Sequence, residues 1–246
     1  MDNQEDFFNK LPSFKKVVFF TGAGISAESG IPTFRGKDGI WNKLKPEELA
    51  NFDAFLRNPQ LVWEWYNHRK EIVHHAKPNK GHLAIAEMQN YFEQVSVVTQ
   101  NIDNLHRRAG SKLIYELHGN IERNYCIDCH TYYNEDFNPL EKIPRCSCGG
   151  LIRPDVVWFG EYLPQDQYKG AEEASLNCDL FFIVGTSAIV YPAASLIYTA
   201  KRAGAYLVEV NINPTEISSI ADISLFDASG VVLPIVLDEL KTKREN

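Results

Sequence analysis

Residues 17–36, VVFFTGAGISAESGIPTFRG, constrain this chain more than any other stretch. The β-branched and aromatic run 17–20 gives way at once to a glycine-rich turn. A run with no polar alternate suits a strand buried on both faces of a parallel sheet. Gly22 permits a tight turn, and Gly24 lets backbone N–H groups approach a phosphate with no Cβ in the way. Ala27 takes the third, small position of Gly-x-Gly-x-x-Gly/Ala, where a helix packs close to the strand. The N-terminus of the helix expected next faces a dinucleotide pyrophosphate. Alone, the pattern also fits an ordinary strand–helix corner. A standard dinucleotide unit has a second strand ending in an acidic residue about 20 residues on. Here Pro32-Thr33-Phe34-Arg35-Gly36 breaks the helix instead, and the next clear strand is 95–99.

Helix and strand signals alternate through the rest. A short helix is expected over 4–11, a helix start at Pro46-Glu47-Glu48, a helix from Asn58-Pro59 through His74, and another from Asn79 or Lys80 through Tyr91. Segments 113–117, 180–185, 206–210 and 231–236 read as further strands, which together give an α/β, doubly wound parallel sheet. The uncharged stretch 180–200 is long enough to raise a membrane span, but Gly185-Thr186-Ser187 and Pro192 divide it into strand, polar turn and helix start. A chain of 246 residues, 44% hydrophobic, can bury one large core carrying an inserted module. A net charge of −7 argues against nucleic acid as the main partner and suits a cationic peptide. The first six residues are acidic and lack an apolar signal core, so the cytoplasm is the expected compartment.

Between the third and fourth strands lie Cys126-Ile127-Asp128-Cys129 and, further on, Cys146-Ser147-Cys148, followed by two glycines. Two close thiol pairs on tight turns meet the needs of a tetrahedral Zn²⁺. Two disulfides are the alternative, disfavoured in a reducing compartment. Four protein ligands make the metal structural, and the Cys-x-Cys second pair is tighter than the commoner Cys-x-x-Cys.

The strand ends are polar. Thr99-Gln100-Asn101-Ile102-Asp103-Asn104 follows the second strand, Leu117-His118-Gly119-Asn120 the third, and Gly185-Thr186-Ser187 and Asn211-Ile212-Asn213 later ones. Open α/β sheets bind ligands at these carboxyl ends, and a histidine there, beside a glycine, is a candidate base.

These segments, together with Ile31-Pro32-Thr33-Phe34-Arg35, the four cysteines and Pro154-Asp155-Val156-Val157-Trp158-Phe159-Gly160-Glu161, resemble in content and order the sirtuin family of NAD-dependent protein-lysine deacylases. The resemblance runs over nearly the whole chain; the Cys-x-Cys spacing departs from the commonest family pattern. It implies a single catalytic unit over 1–246. Within it, a Rossmann-like domain takes in about 10–36, 78–120 and 162–240, a helical module about 37–77, and a zinc module about 121–155. The implied cofactors are NAD and one structural Zn²⁺ on Cys126, Cys129, Cys146 and Cys148. The implied reaction passes the acyl group from lysine to ADP-ribose: the acyl oxygen attacks C1′ of the nicotinamide ribose, nicotinamide leaves, and His118 is the general base on a ribose hydroxyl. Asn101 and Asp103 would hold the nicotinamide and ribose end. Gly22, Ala23, Ser26, Gly185, Thr186 and Ser187 would hold the phosphates and adjoining ribose, and Asn211, Asn213 and Ala228 would lie toward the adenosine. Gly24, Ala27, Pro32, Thr33, Phe34, Arg35, Trp41, Gln100 and Ile102 complete the implied cofactor site. Protein mono-ADP-ribosyl transfer and a non-catalytic NAD-sensing scaffold are the competing functions.

Segment 156–161 is extended and β-prone and ends in a glycine and an acid, which fits a plain buried strand as well as an edge to which a peptide adds; the resemblance implies the second and places Val156, Val157, Phe159, Gly160 and Glu161 at the substrate. Tyr66 and Arg69 stand at i and i+3 on one helix face. They resemble the Tyr-x-x-Arg motif of sirtuins that remove malonyl, succinyl and glutaryl groups, with Ala50 resembling that subgroup's small pocket residue. The chemistry agrees: a guanidinium binds a terminal carboxylate through two parallel hydrogen bonds while a phenol donates a third. The expected partners are acylated-lysine proteins or peptides, with no nucleic acid and no membrane, and the chain is taken as a monomer.

Overall fold

A computed structural model describes residues 2–34, 49–137 and 142–245. The helix start at Pro46-Glu47-Glu48 and the cofactor positions Arg35 and Trp41 lie outside the described residues.

Strand β1 (Lys16–Thr21) is central. It pairs in parallel with β2 (Gln94–Thr99) on one side and β7 (Leu180–Val184) on the other, so that Val17 lies opposite both Val95 and Leu180. With β3 (Leu113–Glu116) outside β2, and β8 (Tyr206–Asn211) and β9 (Ile223–Phe226) beyond β7, the six-stranded order is β3-β2-β1-β7-β8-β9, all parallel. The missing polar alternation of β1 follows from its neighbours. Val17 and Phe19 enter a core with the Asp2–Lys10, Lys80–Met88 and Ser229–Glu245 helices, and Val18 and Phe20 enter a second core under the Gln165–Leu176 and Ser195–Arg202 helices.

The chain leaves this sheet at β3 and within two residues starts β4 (Gly119–Cys126). With β5 (Tyr132–Tyr133) and β6 (Ile152–Val156) it forms a small antiparallel sheet of order β5-β4-β6. That sheet shares a third core with the Phe52–Arg57 and Pro59–His75 helices, through Trp63, Tyr66, Ile121, Ile152 and Trp158. The long helix begins where its cap predicts: Asn58 Oδ1 accepts the Leu61 N–H at 3.2 Å with Pro59 in the first turn. Asn79 Oδ1 likewise accepts the Gly81 N–H at 2.9 Å to start the helix at Lys80.

Two expectations are corrected. The run 231–236 is helical, and the sixth strand is β9. Val232 and Val236 are buried while Val231 and Ile235 are exposed, a spacing of four, and the Glu28 carboxylate accepts the Gly230 N–H at 2.7 Å at the helix start. After β1 the chain forms a 3₁₀ helix, Ala23–Ser29, in place of an α-helix. It closes at Gly30, whose N–H bonds the Ala27 carbonyl while that of Ile31 bonds Ser26.

Candidate active site

The carboxyl ends of β1, β2, β7 and β8 open on a cleft of about 820 Å³, large enough for a dinucleotide. Its floor is Gly22, Ala23 and Gly24 against Gly185, Thr186 and Ser187, with Gln100, Asn101 and Ile102 beside them and Asn211, Asn213 and Ala228 at one end. The facing wall brings Ala27, Thr33, Phe34, Ala50 and Tyr66 to Val156, Val157, Phe159, Gly160 and Glu161, and His118 stands between wall and floor. Ser26, Pro32, Asp103 and Arg69 do not line it. Pro32 is exposed; the other three are buried behind the surface.

The glycine loops interlock. Gly24 donates its N–H to the Gly185 carbonyl at 2.8 Å, and Gly22 donates to Val184 at 3.0 Å. The Gly24 amide itself is used between the loops. A Cβ on Gly24 would lie 2.7 Å from the Gly185 Cα, and Gly185, at φ +57°, would place its own 2.4 Å from the Ile25 nitrogen. Behind this floor, Asn101 Nδ2 donates to the Gly22 carbonyl at 3.0 Å and to Ser26 Oγ at 3.2 Å, and Ser26 Oγ donates to Asp103 Oδ2 at 2.6 Å. Burial holds the Asp103 carboxyl above its usual range, against the Ser26 hydrogen bond. Deeper still, the His82 and His106 rings lie 4.8 Å apart, and burial lowers both, His82 to about 4.

His118 Nδ1 lies 2.9 Å from the Gln100 carbonyl oxygen. A carbonyl only accepts, so in the neutral ring Nδ1 carries the proton and Nε2 the lone pair. Burial lowers this imidazole below its ordinary value, against the Gln100 bond, which raises it. The Val157 N–H donates to the His118 carbonyl at 3.0 Å and the Phe159 N–H to that of Ala50 at 3.0 Å. The extended run expected to reach Glu161 ends as strand at Val156. Gly160 turns the chain at φ +88°, and the Glu161 carboxylate turns inward to Arg153 and to the Trp158 N–H.

Tyr66 and Arg69 are both buried, 1% and 5% exposed. Tyr66 Oη accepts the Trp158 indole N–H at 2.8 Å, which leaves the phenol proton free to donate, and burial pushes its pKa up to about 12. The Arg69 guanidinium carbon lies 4.9 Å from the Phe34 ring centroid and 5.4 Å from that of Trp65, and its Nε has no hydrogen-bond partner among the described residues.

The four cysteine sulfurs lie within 4.8 Å of one another, with Cys126–Cys148 and Cys129–Cys146 at 3.5 Å. All are free thiols, too far apart for a disulfide of about 2.05 Å. A tetrahedron with Zn–S near 2.3 Å has edges of about 3.8 Å, so the donor set fits zinc despite the Cys-x-Cys turn. Tyr133 Oη donates to Cys146 Sγ at 3.0 Å and the Thr131 hydroxyl lies 3.2 Å from Cys129 Sγ.

Trp65 and Trp158 also line the cleft, and sequence reasoning passed over both. Trp158 was reachable, lying inside the quoted 154–161 motif; Trp65, on the buried side of its helix, gave no signal apart from its neighbour Tyr66.

A doubly wound parallel sheet whose carboxyl ends open on a glycine-floored cleft is the frame of a dinucleotide-binding α/β protein. The chain belongs to the Sir2 family, whose profile matches residues 22–192. It is similar to NAD-dependent protein deacylase 2 of Pyrobaculum aerophilum, 50% identical over 235 residues that cover 95% of this chain and 94% of that one. Among solved structures it resembles a mutant Sir2 homologue in complex with ADP ribose, with TM-score 0.94, 42% identity and 98% of each chain covered. It also resembles a Sir2 protein with a p53 peptide and NAD⁺, with TM-score 0.87, 36% identity, and 97% of this chain and 99% of that one covered.

Proposed function

We propose that this protein is an NAD-dependent protein-lysine deacylase that removes the acidic succinyl and malonyl groups as well as acetyl. The observation that carries the reading is His118. Its imidazole stands in the cleft between the glycine floor and segment 156–160, anchored at Nδ1, with the Nε2 lone pair left for a proton. Bound NAD supplies a ribose carbon open to attack, with nicotinamide as its leaving group. His118 Nε2 takes the proton of a ribose hydroxyl. Gly22, Ala23, Gly185, Thr186 and Ser187 hold the phosphates and adjoining ribose, Asn211, Asn213 and Ala228 the adenosine, and Gln100, Asn101 and Ile102 the nicotinamide end. Ser26 and Asp103 act from behind by fixing Asn101. Val156, Val157, Phe159 and Gly160 receive the peptide backbone. One Zn²⁺ on Cys126, Cys129, Cys146 and Cys148 holds the small sheet together.

The acidic-acyl preference is supported by Arg69. A guanidinium this buried, its Nε unpartnered among the described residues, suits a hydrogen-bonded anion, and a substrate carboxylate supplies one. Tyr66, protonated throughout the physiological range, adds a donor, and Ala50 leaves room. The same reading takes the protein as a cytoplasmic monomer with no nucleic-acid partner, divided into Rossmann-like, helical and zinc-binding modules. Free thiols suit that compartment. No helix among the described residues is long and apolar enough to cross a membrane.

A panel of acetyl-, malonyl-, succinyl- and glutaryl-lysine peptides, with and without NAD and read by mass spectrometry, tests the proposal. Free lysine and O-acyl-ADP-ribose are the expected products. ADP-ribose retained on protein would instead identify a transferase, and no turnover of any peptide a scaffold.

A further inference from the structure

Arg153, the second residue of β6, is 1% exposed. Its guanidinium carbon lies 3.3 Å from the Trp158 ring centroid and 5.3 Å from that of Tyr125. Nη1 and Nη2 both donate to the Glu161 carboxylate, Nη2 at 3.0 Å, and Nη2 also donates to the Val156 carbonyl at 2.6 Å. Glu161 Oε2 accepts the Trp158 backbone N–H at 2.7 Å. One ion pair thus fixes a six-residue turn from inside at Val156, Trp158 and Glu161. On its outer side the same turn is tied by the Val157 N–H to the His118 carbonyl and by the Phe159 N–H to Ala50. Past β6 the segment is no longer strand, and these contacts help to set its shape. The Trp158 indole N–H then carries the placement on to Tyr66 Oη.

We propose that Arg153 and Glu161 are positioning residues for the acylated substrate. As a unit they hold segment 156–160 as a rigid edge for the peptide and, through Trp158, set the Tyr66 hydroxyl in the acyl pocket. This rests on the deacylase reading above. It moves Glu161 from the substrate-contacting set, where the family resemblance put it, to the bracing of that set. Buried charge pairs are a weak source of net stability, and their best-attested use is to select one geometry among several. Here the selected geometry is that of a turn facing the reacting group.

The test compares wild type with Arg153→Met, Glu161→Gln and the double variant, measuring KM for succinyl- and acetyl-lysine peptides and KM for NAD. Each single change is expected to raise peptide KM about tenfold or more while KM for NAD moves far less, and the double variant matches the worse single one. Additive losses would mean that Glu161 meets substrate independently of Arg153 and would overturn the pair. Unchanged peptide KM, or peptide and NAD KM rising together, would overturn it as well. Should Arg153→Met fail to fold, Arg153→Lys, which keeps the charge and loses the two-pronged contact, takes its place in the cycle. Wild-type protein that turns over no acyl peptide defeats the deacylase reading itself; wild-type turnover with indifferent variants defeats only the bracing role.

Discussion

His118 Nδ1 and the carbonyl oxygen of Gln100 stand 2.9 Å apart, joining the residue that precedes the small sheet to the end of β2 in the large one. The contact fixes which ring nitrogen is free, and burial around it lowers the imidazole below 6.5. The base is therefore unprotonated at neutral pH, and the acid limb of turnover falls below pH 6.5. A pH–rate profile whose acid midpoint lies above that value would contradict the assignment. His118→Ala is expected to lower kcat by about 10²–10⁴-fold while calorimetry still detects NAD binding.

Arg69→Met removes a charge-assisted pair with an acidic acyl group and keeps the length of the side chain. Desuccinylation is expected to fall by about 1.5–3 kcal/mol, or tenfold to a hundredfold in kcat/KM, with deacetylation nearly unchanged. Equal losses on both peptides would assign Arg69 to packing against Phe34 and Trp65.

Zinc removal by a chelator is expected to unfold the small sheet, lowering Tm and abolishing turnover, because β4 and the facing Cys146–Cys148 turn meet at the four thiolates. Tyr133→Phe deletes a single O–H···S bond to Cys146. A loss of metal affinity of about tenfold or more, measured by competition with a chromogenic chelator, is the expected outcome.

Stability itself should depend on pH through His82. Its folded value, about 4, lies below the ordinary 6.5, so between those values the unfolded chain binds more protons. The stabilisation is complete above pH 6.5 and is lost as pH falls toward 4, for a total of about 3 kcal/mol. His106 acts in the same direction. Asp103, raised by burial, opposes them, so the His82 contribution is read as a difference from a variant between pH 6.5 and about 4. Denaturation midpoints of wild type and His82→Gln across that window check the effect; identical slopes would remove it.

What could be read in advance was local. The Asn58-Pro59 cap, the two-faced strand β1, the paired cysteines and the polar strand ends each carry their signal within a few residues, and the structure reproduces them. The run 231–236 misled because β-branched residues favour strands, while its helix is settled by burial of Val232 and Val236 and by Glu28, some two hundred residues away. Nor was it legible that the Gly24 N–H goes to Gly185, in the loop after the neighbouring strand β7. The ion pair of Glu161 was not legible, because Arg153 lies eight residues back on a strand with nothing to mark it. For the Ser229–Glu245 helix and for Gly24 the missing information was a contact with a segment far away in sequence.

The fit of Gly24 against Gly185 leaves no room for a side chain on either, so neither loop can be altered unless the other shifts with it. Tyr66 and Arg69, by contrast, stand on a helix where a single letter can be exchanged within an unchanged backbone. On the proposed reading, a change of acyl preference can therefore arise at these two side chains while the paired glycine loops stay as they are.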